Sequence, residues 1–149
     1  MENIQFMKEA YLEAQKAFKE DEVPIGCVIV KDGEIIARAH NLKETLKDPT
    51  AHAEIECIKK ATQYLSSKYL NECEMYVTLE PCLMCAGAII QSRLNKIYVA
   101  TYDPKGGSFK SSINIDEIKG LNHKVNYEFG LMEKECSEIL KEFFKNKRD

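Results

Sequence analysis

Glu74-Met75-Tyr76-Val77-Thr78-Leu79-Glu80-Pro81-Cys82-Leu83-Met84-Cys85-Ala86-Gly87 holds two kinds of segment in one stretch. Glu74 to Leu79 reads as a strand that ends at a cysteine turn. The turn opens a helix continuing through Ala86 to Ser92, whose Ala, Gly and Ile suit burial under a sheet. Pro81 fits the first helical turn, where a missing N–H costs nothing. Cys82 and Cys85 stand three residues apart, so on a helix they share one face. The positive end of that helix favours both thiolates.

The same alternation extends outward. Upstream, residues 3–19 place Ile4, Met7, Tyr11, Ala14 and Phe18 on one helical stripe. Val23 to Val30 reads as a buried strand, Asp32-Gly33 as a two-residue hairpin turn, and Glu34 to Ala39 as the antiparallel return. A polar loop over 42–50 leads to a helix from His52 to Leu65 that buries Ile55, Ile58 and Ala61 or Leu65. Thr50 is a fair N-cap for it. Downstream come a strand at Asn95 to Ala100, a flexible turn-rich loop over 102–108 and a last strand at Lys124 to Phe129. The final helix spans 131–147, with Met132, Cys136, Ile139, Leu140 and Phe143 inward. Phe144 lies beside that stripe and reads as core more than as a platform for stacking bases.

Strands separated by helices specify a three-layer α/β/α domain with a mixed sheet: one opening hairpin, then crossovers. In such sheets ligands sit beyond the carboxyl ends of the strands. A chain of 149 residues with no repeat, linker or low-complexity segment reads as a single domain over 1–149. No run of eighteen apolar residues occurs, so no membrane span is expected. The amino terminus is amphipathic and charged, unlike a signal peptide. Cys27, Cys57 and Cys136 sit inside apolar patterns as small buried hydrophobes, which points to a reducing, cytoplasmic protein. The net charge of −3 weighs weakly against nucleic-acid binding. Its distribution is uneven: Lys141, Lys145, Lys147 and Arg148 make the carboxyl tail basic, suited either to phosphate or to plain solvent.

Chemistry enters with His52-Ala53-Glu54. His52, Cys82 and Cys85 supply one imidazole and two thiols. Three protein ligands plus an open position is the pattern of a catalytic zinc site, whereas structural sites are usually closed by four. No convincing fourth ligand exists, since His40 and His123 are lone histidines in the sequence. Zinc lowers the pKa of bound water to about 7 and so makes a hydroxide nucleophile at neutral pH. Glu54, two residues after His52, points away from it on a regular helix. If His52 lies at the ragged start of the helix, Glu54 can instead face the reacting atom as general base and then general acid. Taken alone, C-x-x-C fits a redox pair equally well, but a redox pair needs no distant histidine. H-x-E with P-C-x-x-C, each opening a helix, is the zinc deaminase signature.

A longer set of residues carries a closer resemblance. Asp48-Pro49-Thr50-Ala51-His52-Ala53-Glu54, Tyr76 through Ile89, Asn122-His123-Lys124-Val125, Glu135-Cys136 and Phe143-Phe144 resemble the bacterial tRNA-specific adenosine deaminases, within the cytidine deaminase superfamily. The likeness spans nearly the whole chain. It implies a cytidine deaminase-like α/β/α sandwich with a five-stranded mixed sheet, and a homodimer. It also implies hydrolytic deamination of adenosine to inosine at the wobble position of a tRNA anticodon. By the same resemblance His52, Cys82 and Cys85 hold one Zn2+ per subunit and Glu54 shuttles protons. Asn41, Ala53, Asp103, Lys105 and Phe144 become contacts for the anticodon stem-loop, although Asn41 on its own reads as a turn-forming residue. Phe109-Lys110 stand where the family usually has small residues, so the loop meeting RNA is expected to differ in shape. Two rivals share parts of this pattern: a deaminase of free guanine or cytosine, and a non-catalytic zinc-bearing RNA-binding subunit. The second is expected to lack the carboxylate that Glu54 supplies.

Overall fold

The computed structural model describes residues 1–148, with the side chain of Arg148 left out. Arg148's share of the basic tail, and Asp149, therefore lie outside the described residues. The elements run α1 (Asn3–Lys19), β1 (Gly26–Lys31), β2 (Glu34–His40), α2 (Ala53–Leu65), β3 (Cys73–Leu79), α3 (Leu83–Gln91), β4 (Lys96–Thr101), β5 (Asn126–Phe129) and α4 (Glu133–Arg148), with a 3-10 turn at Ile115–Glu117 before β5. The sheet order is β2-β1-β3-β4-β5. β1 is antiparallel to both β2 and β3, while β3–β4 and β4–β5 are parallel. This is the mixed five-stranded sheet expected, each strand within two or three residues of its expected bounds.

The hairpin follows from its turn residues. Asp32 and Gly33 both take positive φ, 51° and 77°. That is the type I′ geometry whose twist matches paired strands, and Gly adopts it without strain.

Two layers of helix cover the sheet. On one face Cys57 and Ala61 of α2 and Ile89 and Ile90 of α3 pack on Cys27, Ile29, Val77, Ile97 and Val99. On the other, Phe6, Met7 and Ala10 of α1 and Cys136 of α4 cover Val28, Val30, Tyr76, Tyr98 and Ala100. Tyr76 and Tyr98 stack there with centroids 4.5 Å apart. Each fully buried Ile, Val or Met contributes about 1.5–3 kcal/mol relative to exposure. Among the described residues no helix is long and apolar enough to cross a membrane.

The first helical stripe needs correction. Ile4 is exposed, and the buried line is Phe6, Met7, Ala10, Glu13, Ala14 and Ala17. A carboxylate occupies one core position, which hides the stripe from an apolar count. Glu13 is held there by Lys16 at 2.7 Å, His40 at 3.0 Å and Arg38 at 3.4 Å. His40 is thus no lone histidine, since it also reaches Glu20. On α2, Ala53, Glu54, Cys57 and Ala61 are the buried residues, and Ile58 and Leu65 pack partly against the core. Ile55 stays half-buried.

Candidate active site

Two helix starts make the site. α2 begins after N-cap His52, whose backbone is extended (φ −72°, ψ 154°). α3 begins after N-cap Cys82, also extended (φ −74°, ψ 175°). Thr50 does not cap α2; its hydroxyl donates to Asp48 instead, at 2.7 Å. Pro81 accordingly precedes the cap and does not sit in the first turn. Extended N-cap residues project their side chains off the helix end and toward each other.

His52 Nδ1 lies 3.7 Å from Cys82 Sγ and 3.5 Å from Cys85 Sγ. The three ligand atoms all lie within 4.8 Å of one another, and together they can hold a metal ion. Zinc takes sulfur at ~2.3 Å and nitrogen at ~2.0–2.1 Å in a tetrahedron, which sets a sulfur–nitrogen edge of roughly 3.6 Å. The observed separations match that edge. The protonation pattern fits as well. Cys82 is pulled down to about 4, first by its hydrogen bond from Cys85 and, against burial, by His52. Cys85 is pushed far up by the same contact with Cys82 and by burial. His52 is raised, chiefly by its hydrogen bond to Cys82. As bare side chains the two sulfurs compete for a single negative charge. A divalent cation between them ends the competition.

Glu54 is 4% exposed. Burial pushes its pKa up to about 7, opposed by the backbone amide of Glu54 itself. Its carboxyl is a hydrogen-bonding neighbour of Cys85, yet it stands outside the three-ligand group. The i, i+2 divergence therefore does not separate it from the cluster, because His52 precedes the helix proper. Ala53, the first residue of α2, is fully buried in the core.

Asn41 is buried. Its Nδ2 donates to the Val23 carbonyl at 3.4 Å, and its Oδ1 accepts from the Lys43 amide at 3.1 Å, the turn-forming role. The next loop is tied by Glu22, which is also buried and which sequence reasoning missed. Its two carboxylate oxygens accept from the amides of Glu44 (3.0 Å) and Thr45 (2.6 Å).

Asp103 and Lys105 line a cavity of about 790 Å³ with Val23, Ile25, Leu79 and Phe144. None of His52, Glu54, Cys82 and Cys85 lines it. The link between the two is Leu79, which lines the cavity and ends β3 three residues before Cys82. Asp103 Oδ1 accepts from the amides of Lys105 and Gly106, both at 3.2 Å. Phe144 is 44% exposed, which overturns its core assignment; Phe143 is buried as expected, edge-on to Phe18. The Phe144 ring also borders a second hollow with Lys47, Thr45 and Lys147. Lys147 is already paired with Asp21 at 2.6 Å.

The loop over 102–108 lies largely at the surface, with Tyr102, Pro104, Lys105 and Gly106 exposed, but its end turns inward at Gly107 and Ser108. Phe109 is fully buried in the core and lies edge-on to Tyr127, so it cannot meet RNA. The organiser is Glu80, another residue missed. The apolar strand ahead of it masks a carboxylate whose partners are backbone amides, and amides leave no trace in side-chain pattern.

The sequence matches the family described as MafB19-like deaminase over residues 1–148. It is 51% identical over 144 residues to a tRNA-specific adenosine deaminase of Aquifex aeolicus (strain VF5), covering 97% of this chain and 95% of the relative. The chain belongs to the tRNA-specific adenosine deaminase family. A second member of that family, from Bacillus subtilis (strain 168), is 46% identical over 96% of this chain and 89% of its own. A solved structure from work on A-to-I editing by tRNA:A34 deaminases at the wobble position superposes with a TM-score of 0.89 at 44% identity, over 91% of this chain and 99% of that one. Guanine deaminase from Nitrosomonas europaea shares the fold alone, with a TM-score of 0.82 at 20% identity over 95% of this chain and 84% of its own.

Proposed function

We propose that this member of the deaminase family converts adenosine to inosine at the wobble position of a tRNA anticodon, using one zinc ion held by His52, Cys82 and Cys85. The observation that carries the reading is the tetrahedral-edge spacing of those three ligand atoms with a buried carboxyl, Glu54, beside them. Zinc bound there supplies a Lewis acid that makes water nucleophilic near neutral pH. Glu54 accepts a proton from the attacking water on its carboxylate and returns it to purine N1, then carries the remaining water proton to the departing exocyclic nitrogen. The water oxygen joins carbon 6, the bond to the exocyclic nitrogen breaks, and ammonia leaves. A carboxyl whose pKa burial raises toward neutrality suits both halves of that exchange.

A cluster recessed at two helix starts, with Cys85 buried and His52 and Cys82 half-buried, requires the target base to leave its stack, which a single-stranded anticodon loop allows at low cost. Asp103, Lys105 and Phe144 border the cavity that Leu79 links to the cluster and would receive the neighbouring nucleotides. Asn41 and the first turn of α2 at Ala53 would bound the nucleoside. The reading includes a homodimer, both copies shaping the RNA surface, and a cytoplasmic location. All six cysteines are free, in keeping with a reducing compartment.

Inosine formation in a synthetic arginine-type anticodon stem-loop, set against turnover of free guanine and cytidine, tests the reaction. Inosine in the stem-loop is expected. Activity confined to free bases would replace this reading with the nucleobase deaminase. Light scattering tests the dimer, and a monomer at assay concentration would remove that part.

A further inference from the structure

We propose that Glu80 is the positioning residue for the substrate wall of this site: one buried carboxylate gathers the 103–111 loop and references it to the same turn that delivers Cys82. The inference rests on the deaminase reading above and names a residue that does not touch the reacting atoms.

Glu80 is 2% exposed. Its Oε1 accepts from the Asp103 amide at 3.0 Å and from the Ser111 hydroxyl at 2.5 Å. Its Oε2 accepts from the amides of Phe109 at 3.0 Å, Lys110 at 2.8 Å and Ser111 at 3.0 Å. Those donors sit at both ends of the loop, so one side chain closes it. The main chain adds two ties from the same turn: the Glu80 amide donates to the Thr101 carbonyl at 2.9 Å, and the Ser108 amide to the Pro81 carbonyl at 2.9 Å. Gly107 leaves the space this requires. A Cβ at that position would stand 2.3 Å from the carboxyl carbon.

Two residues after Glu80 comes Cys82, and inside the closed loop stand Asp103, Lys105 and Gly106 on the wall of the 790 Å³ cavity. The ligand-bearing turn and the substrate wall therefore share a single anchor. A carboxylate has about four lone-pair sites and no hydrogen to place, so it can serve these five donors with only one site shared. Its amide isostere offers only one accepting oxygen and turns two N–H groups toward other N–H donors.

The test is Glu80→Gln, read in three ways. Steady-state kinetics on the anticodon stem-loop should show KM raised about tenfold or more, the scale of a lost charged hydrogen-bond set. The same kinetics should leave kcat within about threefold, since no interaction special to the transition state is removed. Zinc per chain should be unchanged, and amide hydrogen exchange at Asp103, Phe109, Lys110 and Ser111 should speed up. Affinity for the stem-loop in a Glu54→Ala background should fall by the same factor as KM rises. Unchanged KM and affinity with a loosened loop would overturn the proposal, as would loss of zinc, which would make Glu80 a support for the ligand turn only. If Glu80→Gln does not fold, Ser111→Ala takes its place, with a smaller KM rise expected and an unchanged KM overturning the assignment. Wild-type protein that neither binds nor deaminates the stem-loop would instead bring down the tRNA reading. The exchange measurement needs no substrate and reads the hold of Glu80 separately.

Discussion

The metal cluster and the 102–111 loop lie side by side, yet they are built by opposite means. In the cluster, side chains meet side chains: His52, Cys82 and Cys85 converge from two helix starts, and little main chain is involved. In the loop, one side chain meets main chain: Glu80 accepts four backbone amides and a hydroxyl. The first design tolerates no change of residue type, because metal geometry demands those ligand atoms. The second accepts many residue types in the loop, provided that their amides reach the carboxylate and Gly107 leaves room. On the proposed reading, reaction chemistry is thereby separated from the substrate wall within a few residues of chain.

That contrast can be broken first at the chemistry. Glu54→Ala should lower deamination by ~10²–10⁴-fold, the usual contribution of proton transfer, while zinc content and fold persist. Activity within tenfold of wild type, measured by inosine release, would remove Glu54 from the proton path.

Phe109 separates the two accounts of the loop. As a fully buried side chain its replacement by Ala should cost about 3–5 kcal/mol in denaturant unfolding. An RNA-contact residue would instead lose stem-loop affinity with stability intact, and that pattern would return the loop to the surface. Phe144→Ala should do the reverse. Being exposed, it should leave stability within about 0.5 kcal/mol. It should weaken stem-loop binding by about 1–3 kcal/mol if a base stacks on it. Unaltered binding would make Phe144 a bystander.

The smallest expected effect concerns the far side of the sheet. Burial raises the pKa of Glu13, but its bonds to Lys16 and His40 outweigh this and hold it below the ordinary 4.5. A depressed folded-state pKa means that the unfolded chain binds the proton more readily. The stabilisation is therefore present above about 4.5 and is lost as pH falls through the folded value. Melting temperature should drop on acidification below 4.5 in wild type and drop less in Glu13→Gln. Equal slopes for the two proteins would show that Glu13 carries none of the acid sensitivity.

Which parts were legible follows from the same contrast. Alternation of strands and helices, the Asp32-Gly33 turn and the spacing of His52, Glu54, Cys82 and Cys85 are side-chain facts, and residue types record them. So the sheet, the two helix layers and the metal-holding set could be read before any coordinates. The burial of Glu13, Glu22 and Glu80 could not, because most of their stabilising partners are amides or, for Glu13, the distant Arg38 and His40. Phe109 was misplaced because turn-forming neighbours made its segment look mobile, and the anchor that orders it lies 29 residues away. Helical spacing places Phe143 inward, where it packs on Phe18, but it draws the adjacent and similar Phe144 into the core as well, and Phe144 is exposed.

The central claim is a metal held by His52, Cys82 and Cys85, and metal analysis of active protein tests it most directly. Purified enzyme should carry one zinc per chain, lose deamination in step with zinc on chelation, and regain it on zinc addition. Cys85→Ser should carry none. Full activity in protein stripped of metal, or undiminished zinc in Cys85→Ser, would contradict the account.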